Sequence, residues 1–185
     1  MALFERIERV DDSPKKNVES LFAFYNRSSR PEISRIRAFL EEIFSEFPKP
    51  DQLEVQRRVR SGDNSNFESA IFEIVLHELL TRCGCAVECH PRLNNGVETR
   101  PDFLVTPPNG SSFYLEAVLA SEANERDPAA EARKGAVLDV LDRFPHPNFM
   151  VSVESTGNPL TQPSGRGLSR QLHDWLDLLD PEQIL

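Results

Sequence analysis

Residues 100–118 have the sequence RPDFLVTPPNGSSFYLEAV, in which two apolar stretches lie on either side of a short polar turn. The flanking stretches, 102–106 and 112–120, are rich in aromatic and aliphatic side chains, a composition typical of β-strands. The Pro-Pro-Asn-Gly segment between them favours a tight connection. The sequence therefore predicts a β-hairpin in which Asp102 begins one strand and Glu116 lies within the other.

Helical and extended patterns alternate in the segments around this hairpin. A largely apolar helical pattern over about 66–83 precedes an alternating strand pattern at 85–90. Beyond the hairpin, Pro128 begins a helical pattern that ends near Phe144, and an apolar strand pattern follows at 149–153. The predicted order is αβββαβ, an α/β core in which a hairpin and a helical crossover form a mixed central sheet flanked by helices.

The chain divides into three predicted parts. Residues 1–63 form a helical accessory region, because apolar side chains recur at helical spacing after Pro31 and prolines separate the segments. Residues 64–160 form the α/β core, and residues 161–185 contain an amphipathic C-terminal helix. The two aliphatic residues at the end of the sequence favour a longer native chain that continues past Leu185.

The composition is typical of a globular protein: of 185 residues, 39% are hydrophobic and 28% are charged. No segment approaches the roughly 18 consecutive apolar residues that a membrane span needs, and the charged N-terminus differs from a secretory signal peptide. We therefore expect a cytoplasmic protein. The formal net charge of −9 argues against non-specific binding of nucleic acid, which usually depends on a basic excess.

Arginine is nevertheless concentrated in two stretches of the accessory region. The first stretch contains Arg27, Arg30, Arg35 and Arg37, and the second contains Arg57, Arg58 and Arg60. Two interpretations are open for these stretches. The first, which we favour slightly, is that they form helix faces of mixed charge in contact with solvent. The second is that they contact the phosphates of a nucleic acid.

Three cysteines lie close together, at positions 83, 85 and 89. Cys85 and Cys89 alternate with Val87, which indicates small core residues on one face of a strand. A zinc site that also uses His90 is the weaker interpretation, because the spacing fits no common zinc pattern. The sequence contains neither a serine-hydrolase elbow nor a phosphate-binding glycine loop, and its four histidines are scattered.

The carboxylates of the hairpin indicate a metal site. Glu116 lies in an apolar strand, and carboxylates are rarely buried unless they are paired or bind a metal. A hairpin brings Asp102 beside it, and a divalent cation with oxygen ligands, Mg²⁺ or Mn²⁺, would relieve the repulsion. On the preceding helix, Glu68 projects onto the same stripe as apolar residues, whereas Glu73 lies toward the opposite side, near His77.

The segments Arg100-Pro101-Asp102 and Leu115-Glu116-Ala117 resemble the motif of the PD-(D/E)xK, or restriction-endonuclease-like, nucleases. The resemblance covers about half of the chain and implies an αβββαβ fold in which Asp102 and Glu116 bind the catalytic metal. It also implies a helper glutamate on the first core helix. The segment Phe72-Glu73, followed by two leucines and Gly84, identifies Glu73 for that role, whereas the helical projection identifies Glu68. Both candidates remain open.

One position departs from the family pattern. The lysine that the family has two residues after the glutamate is replaced by Val118. A lysine from another element can take over its role in activating water. Lys134 on the following helix is the first candidate, and Arg100 and Arg133 are weaker ones. A solvated helix residue is an equally good interpretation of Lys134.

The expected function is that of a Mg²⁺-dependent nuclease that hydrolyses phosphodiester bonds, with DNA as the first choice of substrate. Homodimers are common among small nucleases of this type. The main alternative is a non-catalytic interaction module with a nuclease fold, in which Glu116 pairs with an arginine such as Arg100. A different phosphoesterase, or the toxic domain of a defence system, is the third expectation.

Overall fold

The computed structural model describes residues 1–93, 100–119 and 127–183, which form a mixed α/β structure. Its α-helices are α1 (Leu21–Arg27), α2 (Pro31–Glu46), α3 (Gln52–Val59), α4 (Asn64–Arg82), α5 (Pro128–Leu141) and α6 (Gly165–Leu176). Its strands are β1 (Ala86–Cys89), β2 (Phe103–Thr106) and β3 (Phe113–Leu115), and a short 3₁₀ helix covers Pro181–Gln183. None of the helices in these ranges is long and apolar enough to cross a membrane.

The chain forms two compact units. The first consists of Met1–Pro14 and Ser20–Ser121, and the second consists of Lys15–Glu19 and Glu122–Leu185. The first unit contains α1 to α4 and the three strands, and the second contains α5 and α6.

A proline, a capping side chain and a glycine mark where helices of the first unit begin and end. Pro31 occupies the first turn of α2, where its missing N–H costs no hydrogen bond. The Asp63 side chain caps α4 by accepting a hydrogen bond from the Asn66 N–H at 2.8 Å. Gly84 follows α4 with a φ of +80°, a conformation that glycine adopts without strain. The helix thus covers nearly the range that the sequence predicts.

The hydrophobic core of the first unit lies between α2, α3, α4 and the N-terminal segment. Its members are Leu3, Phe4, Leu40, Ile43, Phe44, Phe47, Val55, Val59, Phe67, Ala70 and Ile74. The carbonyls of Ala2 and Leu3 accept hydrogen bonds from Arg60, which fixes the N-terminal segment against the end of α3. The three helices before residue 63 therefore share one core with α4.

The strands form an antiparallel sheet with the order β1-β2-β3. Phe103 pairs with Cys89 on one side and with Leu115 on the other, and the hairpin of β2 and β3 has the predicted location. Phe103 and Val105 of the central strand are completely buried. The alternation predicted for β1 is also present, since Cys85, Val87 and Cys89 are half-buried between exposed neighbours.

Two expectations about the sheet are wrong. No strand lies at 149–153, and the strands in the described part of the chain are all antiparallel, not mixed. The apolar residues at 149–153 follow Pro145 and Pro147 and belong to the second unit, where no neighbouring strand is available to accept their backbone hydrogen bonds. Apolar composition alone does not make a strand without such a partner.

Candidate functional site

Glu73 is the buried carboxylate of α4. Its side chain is only 3% exposed, and its Oε2 accepts a hydrogen bond from Nη1 of Arg58 at 2.6 Å. Its Oε1 is buried and lacks a hydrogen-bond partner within the described part of the chain. Glu68 is exposed, so the helical projection that favoured its burial is wrong. The buried face of α4 is the one that packs on the core through Phe67, Ala70, Ile74 and His77, and Glu73 lies on that face.

The exposure of Glu68 has a visible cause. The apolar residues that share its stripe, among them Phe72 and Val75, are only half-buried. Together with residues of α1 and with Leu119 they line an open groove of about 650 Å³, and Glu68 lies at its edge. The sequence projection therefore identified a real apolar stripe, but the packing of α4 buries a different one.

Asp102 lies where β2 begins. Its Oδ2 accepts a hydrogen bond from the Ala117 N–H at 2.7 Å, and its carbonyl accepts one from the His90 N–H at 2.9 Å. Phe103 and Leu115 are the last pair of the ladder, so Asp102 and Glu116 each lie one position beyond it. The described structure therefore keeps Asp102 at the start of β2 and brings it to the segment that follows β3.

The prediction of a buried Glu116 is wrong. Strand β3 ends at Leu115, and Glu116 is exposed. In the described sheet β3 is an outer strand, and Phe113 and Tyr114 are 45% and 56% exposed, so few atoms cover its surface. The apolar composition predicted a buried strand, whereas β3 lies at the edge of the described sheet, and this position leaves Glu116 accessible to solvent or a ligand.

Glu73 and Asp102 are electrostatically coupled. Burial raises the pKa of Glu73 above its usual value. The hydrogen bond and charge of Arg58 and the charge of His90 oppose that increase, and the negative charge of Asp102 adds to it. Of the two helper glutamates that the sequence left open, Glu73 is the buried one, and the charge of Asp102 contributes to its raised pKa.

His90 and Asp51 also belong to this site, and the sequence analysis missed their role. The Nδ1 of His90 lies 3.4 Å from Oδ1 of Asp51, and its Nε2 lies 3.5 Å from Oε1 of Glu73. His90 has a φ of +47°, in the left-handed region that residues other than glycine seldom occupy. No local pattern joins these residues, because Asp51 lies 39 positions before His90 in the sequence.

The donor chemistry of the site is suitable for a hard divalent cation, since Asp102, Glu116 and Glu73 supply carboxylate oxygens. Within the described residues, however, no three His, Cys, Asp or Glu side chains converge on one point in a way that would hold a metal ion. Arg58 already occupies one oxygen of Glu73. Asp102, Glu116 and Glu73 therefore fit a metal site in their chemistry, with Oδ2 of Asp102 already accepting a hydrogen bond from the Ala117 N–H.

The candidates for the missing lysine are distributed over both units. Lys134 belongs to the second unit, where its Nζ donates to Oε1 of Glu131 at 2.8 Å. Arg133, in the same unit, donates from Nε to the Pro159 carbonyl at 2.8 Å. Arg100 is exposed in the first unit, and Val118, at the position of the family lysine, is 76% exposed.

The three cysteines are free thiols. Cys83 is exposed, and burial raises the pKa of Cys89 to about 12, with further contributions from Asp51, Glu73 and Asp102. A thiol with such a pKa is a poor metal ligand at neutral pH, because the thiolate is the form that binds metal. This favours the interpretation of Cys89 as a core residue of the strand.

Most of the clustered arginines stabilise the first unit. Arg37 is 8% exposed and donates to the carbonyls of Tyr25 and Ser28, both at 2.7 Å. Other arginines have similar structural contacts: Arg27 with Asp11, Arg30 with Glu32, Arg58 with Glu73 and Arg60 with the N-terminal carbonyls. Five of the seven clustered arginines thus have contacts within the first unit, whereas Arg35 and Arg57 are exposed.

Comparisons with known proteins add no family to this description: no protein-family model, no curated protein and no solved structure matches the chain.

Proposed function

We propose that the chain is a divalent-metal-dependent nuclease whose site is formed by Asp102, Glu116 and Glu73. One observation carries the proposal: the Ala117 N–H, next to Glu116, donates to Oδ2 of Asp102 at 2.7 Å. His90 links Asp102 to Glu73, since its N–H donates to the Asp102 carbonyl at 2.9 Å and its Nε2 lies 3.5 Å from Oε1 of Glu73. Asp102 and Glu73 repel each other, and a bound cation would offset that repulsion.

The element order gives further support. Helix α4, the three strands and α5 follow one another along the chain in the order αβββα. In the proposed relationship to the PD-(D/E)xK nucleases, α4 is the helix with the helper glutamate, and β2 and β3 carry the ligands. The last strand of the αβββαβ arrangement has no counterpart at 149–153, so the proposal relates this chain to a reduced form of that core.

The protein groups have separate roles in the proposed mechanism. Mg²⁺ or Mn²⁺, when bound, would polarise the scissile phosphate and lower the pKa of a water molecule. The Ala117 N–H orients the Asp102 carboxylate by binding Oδ2, which leaves Oδ1 for a ligand. Glu116, being exposed, contributes its carboxylate from the substrate side. Glu73 is buried, and its negative charge would add to that of Asp102 in attracting the cation.

The proposal is tested by a cleavage assay with Mg²⁺ and Mn²⁺ on single- and double-stranded DNA and RNA. Asp102→Asn and Glu116→Gln should each reduce cleavage by about a hundredfold, since either change removes a negatively charged ligand. Asp174→Asn, an isosteric change of an exposed aspartate on α6, serves as the matched control and should keep wild-type activity. Equal cleavage by all four proteins would show that the site lies elsewhere.

A Lys134→Ala variant belongs in the same assay. Loss of activity in this variant would indicate that a lysine of α5 replaces the one missing at Val118. Retained activity would indicate that the chain cleaves without such a lysine, or with Arg100 in its place. The two results therefore decide whether Lys134 takes the role of the missing lysine.

A second candidate function is a non-catalytic interaction module that keeps a nuclease-like fold. Two observations favour it: Arg58 occupies one oxygen of Glu73 at 2.6 Å, and Val118 is exposed at the position of the lysine. Calorimetric titration with Mn²⁺ separates the two functions. Heat of binding that disappears in Asp102→Asn supports the nuclease, whereas no binding by the wild type, together with no cleavage, supports the interaction module.

A further inference from the structure

The Glu73 carboxylate has two polar neighbours, Arg58 and His90, and neither is one of the three carboxylates proposed for the metal site. Arg58 binds Oε2 at 2.6 Å, whereas the buried Oε1 has no hydrogen-bond partner within the described residues and lies 3.5 Å from the Nε2 of His90. The opposite nitrogen of the same ring lies 3.4 Å from Asp51. His90 therefore lies between two carboxylates, one buried and one half-buried, and can donate toward either of them.

The backbone of His90 also points to a particular role. Its φ of +47° is unfavourable for a residue with a Cβ, and such conformations persist where the surrounding contacts enforce them. Here the enforcing contact is visible, since the His90 N–H donates to the Asp102 carbonyl at 2.9 Å. The same residue thus contacts Asp102 through its backbone and approaches Glu73 through its ring.

Asp51 has no competing structural role in capping. It occupies the N-cap position of α3, but its side chain makes no capping hydrogen bond. An aspartate at an N-cap ordinarily accepts a hydrogen bond from the helix. Its carboxylate is instead turned to the His90 ring, with Oδ1 3.4 Å from Nδ1. This carboxylate can orient the ring in the way that a carboxylate orients a functional histidine.

We propose that His90, oriented by Asp51, is a positioning residue that holds the Glu73 carboxylate beside Asp102. The inference deepens the proposed function and rests on it for its catalytic meaning. With Arg58 on one oxygen and His90 near the other, the Glu73 side chain keeps one orientation, and the distance between its charge and that of Asp102 stays fixed. His90 itself does not contact the substrate in this proposal.

Two variants of His90 separate the ring contact from the unusual backbone. Asparagine tolerates the left-handed region but is too short to reach Glu73, so His90→Asn keeps the backbone and removes the contact. Glutamine has an N–H donor at a reach similar to that of the ring, so His90→Gln should restore the contact. His173→Asn, a change of a half-exposed histidine on α6, is the matched control.

The first measurement is a double-mutant cycle of His90→Asn and Glu73→Gln in urea unfolding, which does not depend on catalysis. If the two side chains interact, the effect of the double variant on the unfolding equilibrium constant should differ by about fivefold from the product of the effects of the two single variants. If the effect of the double variant equals the product of the two single effects within error, the inference is overturned. The cycle decides on the contact even if the wild type cleaves nothing, a result that would overturn the proposed function instead.

The second measurement is the kinetics of cleavage with saturating Mn²⁺. His90→Asn should lower kcat about tenfold and leave KM for the nucleic acid within about twofold, and His90→Gln should recover most of the loss. A residue that only stabilised the fold would not produce this separation of kcat from KM in a folded variant. An unchanged kcat in His90→Asn, beside an active wild type, would overturn the inference and leave the proposed function standing.

Discussion

Arg58 of α3 and Glu73 of α4 form an ion pair with 2.6 Å between Nη1 and Oε2, and this pair joins two helices of the first unit. The partners differ in exposure, since the glutamate side chain is 3% exposed and the arginine side chain 26%. A buried carboxylate that loses its partner is costly, whereas an exposed arginine that loses its partner is hydrated by water.

The first prediction follows from that asymmetry. Arg58→Met should lower the free energy of unfolding by about 2 kcal/mol, less than for a completely buried pair because water reaches the arginine. Glu73→Gln should cost less than Arg58→Met, because it leaves no unpaired charge in the interior. Urea unfolding followed by circular dichroism measures both. Arg30→Met, which removes an ion pair with Glu32 whose two side chains are both exposed, is the control and should leave the unfolding midpoint unchanged.

The second prediction concerns pH and His77. This residue is buried, with its ring 4.9 Å from that of Phe47, and burial lowers its pKa below the usual 6.5. As pH falls through 6.5, the unfolded chain binds a proton that the folded chain resists, so the free energy of unfolding decreases. The stability is fully present above pH 6.5 and is lost on acidification toward the folded pKa.

Urea unfolding at pH 7 and pH 5.5 measures this effect. The wild type should lose more stability between the two values than His77→Gln, which cannot take up the proton. Equal losses in the two proteins would contradict the assignment of His77 as a neutral, buried histidine.

The third prediction concerns the cysteines. At pH 8, Cys83 should react with iodoacetamide in the folded protein, because it is exposed. Cys89 should remain unmodified, because with a pKa of about 12 roughly one thiol in ten thousand is ionised at that pH. Cleavage after Glu88 followed by mass spectrometry distinguishes the two positions. Unfolding in urea should make Cys89 reactive, and its rapid modification without urea would contradict the burial.

The fourth prediction concerns Arg37. Arg37→Met keeps most of the aliphatic stem but removes two charged hydrogen bonds to carbonyls, and it should lower the free energy of unfolding by about 2 kcal/mol. It should not change the affinity for labelled DNA in an anisotropy assay. Arg35→Met is the matched change at an exposed position, and it should leave the stability unchanged. Weaker DNA binding by Arg37→Met, at unchanged stability, would restore a nucleic-acid role for this stretch.

Local features of the sequence predicted several elements correctly. Pro31 and Pro128 lie in the first turns of α2 and α5, and the turn between residues 106 and 113 joins the two strands of the hairpin. Proline geometry, glycine at positive φ and strand alternation act over a few residues, so they can be recognised without tertiary information. The strand predicted at 149–153 is wrong, because a strand depends on a neighbour that its own residues do not specify.

The sequence by itself determined where the main helices and the hairpin lie, and with them the closeness of Asp102 to the segment that follows β3. The tertiary structure alone decided that Glu73 and not Glu68 is buried, that Glu116 is exposed, and that Asp51, Arg58 and His90 gather at Glu73. The reason is physical. Caps, turns and periodicity depend on neighbouring residues, whereas burial and charge pairing depend on which helix faces pack together, and that is set by the whole core.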